Sequence, residues 1–225
     1  LPGGTTLIAT LGAAAAMVGA AGTMAGMTPE SIAKAAGSPD AALQVLIEGN
    51  KRYVAGRLTS CGQDLAGLRK KTENKQQPLA AILACADSRV PVELLFDQSI
   101  GQVFVTRVAG NIATPDVIAS LEYGVAVLHV PLVLVMGHAH CGAVTAAIGG
   151  KPVPGQISGL YQYIQPAVER VGDDIDRAIR ANAKYQARLL SRASPVMSNA
   201  LAEKTLRVSP CYYDIASGEV TILAT

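Results

Sequence analysis

Residues 79–89 read Leu-Ala-Ala-Ile-Leu-Ala-Cys-Ala-Asp-Ser-Arg. Six apolar residues, entered through Pro78 and left through a small polar turn, fit a strand buried on both faces, as strands of parallel sheets are. Two similar runs, Val103 to Val108 and Leu132 to Met136, also end in Gly or polar turns. Between them Pro115 to Leu128 has helical spacing, with Thr114 as cap and Pro115 at the first helical position. Strand, helix, strand, repeated, predicts a single α/β domain with a mainly parallel sheet and right-handed crossovers. Pro210 to Ile215 and Val220 to Ala224 flank Ala216-Ser217-Gly218-Glu219, a hairpin signal. The expected sheet has about four parallel strands and an antiparallel C-terminal strand, flanked by helices.

Further helices are expected after Ser38-Pro39-Asp40, with apolar Ala42, Leu43, Leu46, Ile47 and Val54 before Gly56. Gln156 to Val171, Asp173 to Leu190 and a short segment from Ser194-Pro195 also read as helical. Arg57 to Leu68 is mixed and contains glycine, and the charged run Arg69 to Lys75 reads as a solvated face. The 225 residues carry 19 basic and 17 acidic side chains, 16% charged against roughly 25% in an average domain. A net charge of +2 without a basic stripe argues against a nucleic-acid partner.

Part of the low charge has a local origin, because residues 1–27 contain no charged side chain and Glu30 is the first. This Gly-, Ala- and Thr-rich segment resembles the apolar region of an export signal, with Ala33-Lys34-Ala35 as a cleavage candidate. The expected division is an apolar N-terminal segment over 1–37, a signal remnant or an arm, and a catalytic domain over 38–225. Export to the periplasm or its equivalent is favoured over a cytoplasmic location. Any membrane association is expected only through that segment.

The chemistry-bearing residues stand where strands end, at Cys85-Ala86-Asp87-Ser88-Arg89 and Gly137-His138-Ala139-His140-Cys141-Gly142. Crevices beyond the carboxyl ends of parallel strands are where such folds build sites. Cys85, His138 and Cys141 form a thiolate, imidazole, thiolate set suited to Zn²⁺, and three protein ligands leave a fourth position open, as in catalytic zinc sites. Asp87 has two options: it closes the site as a fourth ligand, or it pairs with Arg89 and orients a nucleophile. His140 fills an unspecified slot and is expected to face away. His129 reads as a turn residue and Cys211 as a buried hydrophobe, while a Cys61–Cys211 disulfide would need oxidising conditions.

At these residues the chain resembles the β-class carbonic anhydrases. The pair C-x-D-S-R and H-x-x-C-G carries the likeness, supported by Glu48-Gly49-Asn50-Lys51-Arg52-Tyr53, by Phe104 to Asn111, by Ser120-Leu121-Glu122-Tyr123 and by Tyr212 to Gly218. The resemblance implies reversible hydration of CO₂ to bicarbonate and a proton by zinc-bound hydroxide. It implies zinc on Cys85, His138 and Cys141, with Asp87 and Arg89 as the catalytic, orienting dyad. Gln76 matches a substrate-binding amide usually delivered by the neighbouring subunit, and Phe104 and Tyr123 match apolar pocket positions. Gly110 lets backbone approach the site closely. Such sharing implies a homodimer or an assembly of dimers.

Some positions depart from the family. Val108 stands where Asn is frequent, and Val127 where some plant members carry His. With no Trp in the chain, the bicarbonate-inhibited branch's Trp-containing site is not expected. The alternatives are a carbon disulfide or carbonyl sulfide hydrolase of the same family, and a non-catalytic zinc-stabilised subunit of a membrane carbon-uptake complex.

Overall fold

A computed structural model describes residues 37–169 and 171–224. The expected N-terminal segment and its cleavage candidate therefore lie outside the described residues, Ala36 and earlier. Four strands, β1 (Ala80–Ala84), β2 (Val103–Arg107), β3 (Leu132–His138) and β4 (Arg207–Tyr213), run parallel, and β5 (Val220–Ile222) pairs antiparallel with β4. The order is β2-β1-β3-β4-β5, which is the expected mainly parallel sheet with one antiparallel C-terminal pair.

Strand periodicity explains how this sheet is covered. Ala80, Ile82 and Ala84 of β1 and Leu132, Leu134 and Met136 of β3 face one core, whereas Ala81, Leu83, Val133 and Val135 face another. Helix α1 (Pro39–Val54), capped by Ser38 Oγ accepting from the Ala41 amide at 3.2 Å, packs Ala42, Leu43 and Leu46 onto the first face with α3 (Val92–Leu95). The second face is covered by α4 (Pro115–Ala126), the C-terminal half of α7 (Ile175–Leu190) and α8 (Pro195–Ala202). Two faces buried at once need uniformly apolar strands, and both β1 and β3 are buried along their whole length. The chain leaving β1 runs over one face to β2 on one side, whereas the chain leaving β3 runs over the other face to β4 on the opposite side. This makes the crevice between β1 and β3 a topological switch point.

Four elements differ from expectation, one of them helix α3, which fills the β1–β2 connection where no helix was expected. Helix α2 (Leu65–Thr72) forms across the mixed stretch and the start of the charged run, which stays at the surface as expected. It buries no residue, so it has no apolar stripe to read, and Asp64 Oδ1 caps it by accepting from the Ala66 amide at 3.0 Å. Helix α5 (Gly142–Gly149) follows the second motif directly and stops at Gly150 in the left-handed conformation (φ 57°). Strand β4 begins three residues before Pro210. The Pro210 carbonyl accepts from the Leu223 amide at 2.9 Å, so this residue's polar groups face the β5 side and its missing N–H costs no bond to β3.

A buried carboxylate ties helix α1 to the loop after α3. Asp97 accepts from Arg52 Nε at 2.6 Å, from the Thr59 and Ser60 amides at 2.9 and 2.8 Å and from Thr59 Oγ1 at 2.7 Å. Burial opposes its ionisation, but Arg52 and the Ser60 and Thr59 donors outweigh it and lower its pKa from 3.8 to about 2. A depressed folded-state pKa stabilises above the unfolded value, so this contribution is complete above about pH 4 and is lost as pH falls towards 2. Asp97→Asn is expected to cost about 2 kcal/mol at pH 7 in urea unfolding and to flatten the acid limb between those pH values. An acid limb identical to wild type would contradict this.

Candidate metal centre

The last residue of β3, His138, and the residue after β1, Cys85, lie across the switch point, and the turn leaving β3 delivers Cys141 as the N-cap of α5. Two adjacent strand ends thus aim three side chains at one place. Their ligand atoms all lie within 4.8 Å of one another, and all three residues are buried. Nδ1–H of His138 donates to the Ala139 carbonyl at 2.9 Å, which leaves Nε2 as an acceptor. That Nε2 is buried and has no hydrogen-bond partner. An orphaned imidazole nitrogen beside two sulfurs fits a soft divalent cation, since a buried acceptor without a partner otherwise costs about 1–3 kcal/mol.

The sulfurs share a proton unequally. The hydrogen bond from Cys141 pulls the Cys85 thiol towards thiolate against the opposing effect of burial, and the Gly110 amide adds to the pull. Cys141 is pushed upward by that same bond and by burial. The Gly110 amide donates to Cys85 Sγ at 3.3 Å. A metal cation would take the place of the shared proton, as ligation of thiols does. Ile112, Val144, Ile164 and Tyr212 pack around the two cysteines and make the surroundings apolar.

Asp87 and Arg89 form a bidentate pair. Arg89 Nε and Nη2 donate to the two carboxylate oxygens at 3.0 and 2.8 Å, and the Arg89 amide donates to Oδ1 at 2.9 Å. This contact holds the Asp87 carboxyl well below the usual carboxylate range. Its Oδ2 lies 3.9 Å from His138 Nε2, so Asp87 flanks the cluster while both its oxygens are engaged by arginine. Asp87 is thus paired with Arg89, the arrangement that suits orienting a nucleophile. Arg107, at the end of β2, donates to the Cys85 carbonyl at 3.0 Å and to the Asp87 carbonyl at 2.6 Å. It braces the turn carrying both, a role that the strand-end motifs themselves do not reveal.

Gln76, Phe104 and Tyr123 are elsewhere. Phe104 pairs with Ala81, four residues before Cys85, or about 13 Å along the strand. Helix α4 starts near the carboxyl end of the sheet and returns, setting Tyr123 beside Phe104 with ring centroids 6.2 Å apart. Gln76 and Tyr123 line one open groove of about 510 Å³ together with Lys75 and Leu128. Within a single chain these three residues are therefore grouped with one another, at the amino end of the sheet, and are not brought to the metal cluster. Of the substrate-binding candidates only Gly110 touches it.

The remaining sequence expectations are placed as follows. His140 is exposed and contributes its carbonyl to Arg89 at 3.3 Å. His129 occupies an exposed turn with φ 55°. Cys211 is fully buried and Cys61 exposed, both as free thiols.

Comparison with known proteins agrees with this arrangement. Residues 80–220 match the family model described as carbonic anhydrase. Carbonic anhydrase 2 of Mycobacterium tuberculosis is 35% identical over 196 residues, covering 82% of this chain and 93% of that protein. Among solved structures, the β-carbonic anhydrase CafA of Aspergillus fumigatus superimposes with a TM-score of 0.67 at 27% identity, over 77% of this chain and 86% of that one. A tetrameric β-carbonic anhydrase from Sordaria macrospora gives 0.64 at 25% identity, over 72% and 88%. With a matching family model across most of the described sheet and the Cys-His-Cys cluster at its switch point, the chain belongs to the β-class carbonic anhydrases.

Proposed function

We propose that this chain is a zinc lyase that hydrates CO₂ reversibly to bicarbonate and a proton, with Zn²⁺ held by Cys85, His138 and Cys141. The observation that carries this reading is the buried, partnerless Nε2 of His138 facing two cysteines, with an arginine-bound carboxylate 3.9 Å away. Zinc bound by three protein ligands lowers the pKa of a coordinated water to about 7, which supplies a nucleophile at neutral pH.

The protein's own groups do the rest. Asp87, kept ionised by Arg89, is an acceptor only, so it can hold the proton of an attacking water and turn the oxygen lone pair towards the carbon of CO₂. Arg89, anchored also on the His140 carbonyl, orients that carboxylate. The apolar side chains around the cysteines suit a substrate with no charge and no dipole. The intact Asp87–Arg89 pair favours a catalyst over a non-catalytic zinc-stabilised subunit.

Gln76, Phe104 and Tyr123 complete the site in a second copy of the chain, where the Gln76 amide donates to a substrate oxygen. Their grouping away from the chain's own cluster supports this, as does the 47% exposure of Tyr123, a large side chain left uncovered beside Gln76. The assembly is then a homodimer or a set of dimers. Export belongs to the same proposal on the composition of residues 1–27 alone.

Stopped-flow CO₂ hydration with and without a chelator tests the reaction. Activity that disappears on chelation and returns with Zn²⁺ is expected, and activity indifferent to chelation would reject the zinc reading. Parallel assays with carbonyl sulfide and carbon disulfide separate it from a hydrolase, for which the sulfur compounds would be turned over faster than CO₂.

A further inference from the structure

Helix α7 buries Ala178, Ile179, Ala183, Ala187 and Leu190 along one face, and on that same face stand two amides, Asn182 and Gln186. Both are fully buried at 0% exposure. An amide at such a place costs about 1–3 kcal/mol unless its polar atoms are bonded, whereas a leucine would cost nothing of the kind. What these atoms bond to therefore has to account for them.

Asn182 Nδ2 donates to the Gly110 carbonyl at 2.8 Å, and Gln186 Oε1 accepts from the Ala113 amide at 3.0 Å. Gln186 Nε2 donates to Asn182 Oδ1 at 3.0 Å and to the Tyr163 carbonyl of α6 (Tyr161–Val168) at 2.8 Å. The two side chains are one bonded unit, and it grips both ends of the turn 110–113. That turn needs a grip. Gly110 (φ 78°) and Asn111 (φ 44°) are consecutive left-handed residues, a conformation costing roughly 1–2 kcal/mol at a residue with a side chain. A Cβ on Gly110 would stand 2.8 Å from Ile164 Cδ1 and 3.3 Å from Ala143 Cβ, so the turn is wedged between α6 and α5. The product of this arrangement is the Gly110 N–H pointed at Cys85 Sγ.

We propose that Asn182 and Gln186 are positioning residues of the metal centre, holding the 110–113 turn so that the Gly110 amide donates to the Cys85 sulfur. An N–H on a ligating sulfur withdraws charge from it and fixes its orientation, and groups of this kind typically change metal affinity or activity 10- to 100-fold when removed. The proposal rests on the zinc reading above, so its test has one readout that does not depend on zinc.

The experiment compares wild type, Asn182→Leu and Leu190→Ala as full-length purified proteins. Leu190 lies on the same helix but packs in the core away from the cluster, so it controls for lost stability alone. Amide hydrogen exchange at Gly110 is followed by NMR, and zinc release is followed with a colorimetric chelator. Asn182→Leu is expected to speed Gly110 exchange about tenfold or more, and zinc release about 10- to 100-fold, with Leu190→Ala changing neither. Asn182→Ser, too short to reach the Gly110 carbonyl, replaces the leucine variant if that fails to fold, with the same expected changes. Unchanged exchange and release in the asparagine variants overturn the proposal, as does an equal change in Leu190→Ala. A wild-type chain that holds no zinc, yet shows the exchange contrast, rejects the zinc reading and leaves the anchoring of the turn supported.

Discussion

Cys141→Ala is expected to lose about 1000-fold or more of CO₂ hydration, because two remaining ligands no longer hold the cation that makes water nucleophilic near neutral pH. Gln76→Leu is expected to lose about 100- to 1000-fold, the usual cost of one donor to a developing oxyanion. The informative result comes from co-expressing the two variants at equal levels. In the proposed assembly each site would take Cys141 from one chain and Gln76 from its neighbour, so random assortment would leave about a quarter of all sites with both residues intact. Activity near a quarter of wild type is expected where each variant alone shows about 1% or less. If Gln76 served the cluster of its own chain, no site in the mixture would hold both residues and activity would stay at background. The structure motivates this expectation directly: Gln76 precedes β1 at one end of the sheet and Cys85 follows it at the other.

Gly49→Ala is expected to destabilise the fold by about 4 kcal/mol or more, a large share of a typical domain's stability. Helix propensity argues the opposite sign, since alanine in mid-helix is better than glycine by about 0.5–1 kcal/mol. Contact decides between them. A Cβ at position 49 would stand 1.8 Å from the Phe96 carbonyl oxygen and 2.7 Å from its carbon, and backbone cannot step aside as a flexible side chain can. Helix α1 would have to withdraw, and the adjacent Asn50 would lose its ties. Asn50 Nδ2 donates to the Leu95 and Gly218 carbonyls at 3.1 and 2.9 Å, and Oδ1 accepts from the Val220 amide at 2.9 Å. The Arg52–Asp97 pair on the same helix would be pulled apart as well. Urea unfolding measures the loss. A midpoint at or above wild type would show that the helix can shift without cost.

These residues also explain why Glu48 to Tyr53 reads as a motif although it lies far from the chemistry. Gly49 permits the close approach, Asn50 stitches the first helix to the last hairpin, Arg52 meets Asp97, and Tyr53 packs against Gly218. The run of letters identified the helix, but not the partners of Asn50 and Arg52, which lie 45 to 170 residues away.

The parallel sheet was legible because burial on both faces leaves unbroken apolar runs, and Leu79 to Ala84, Val103 to Val108 and Leu132 to Met136 are such runs. The ligand cluster was legible for a related reason: parallel strands end side by side, so residues just beyond β1 and at the end of β3 meet without further information. Helix α2 was not legible, because a helix that buries nothing has no periodic stripe. Asn182 and Gln186 read as ordinary polar positions of an amphipathic helix, since i and i+4 name a shared face and do not say whether that face meets water or a turn 70 residues earlier.

By itself, then, the sequence determined the strands, the helices with an apolar stripe, the two strand-end motifs and the donor set, all of which depend on neighbours along the chain or on strand ends brought level by parallel pairing. Only the tertiary structure decided that Asp87 is engaged by Arg89, that Arg107 and the α7 amides brace the turns bearing Cys85 and Gly110, and that Gln76, Phe104 and Tyr123 gather at the far end of the sheet. The reason is that hydrogen bonds are short and directional: which distant donor reaches a given acceptor is set by how whole helices pack on the sheet, and the pattern of any one segment does not contain that.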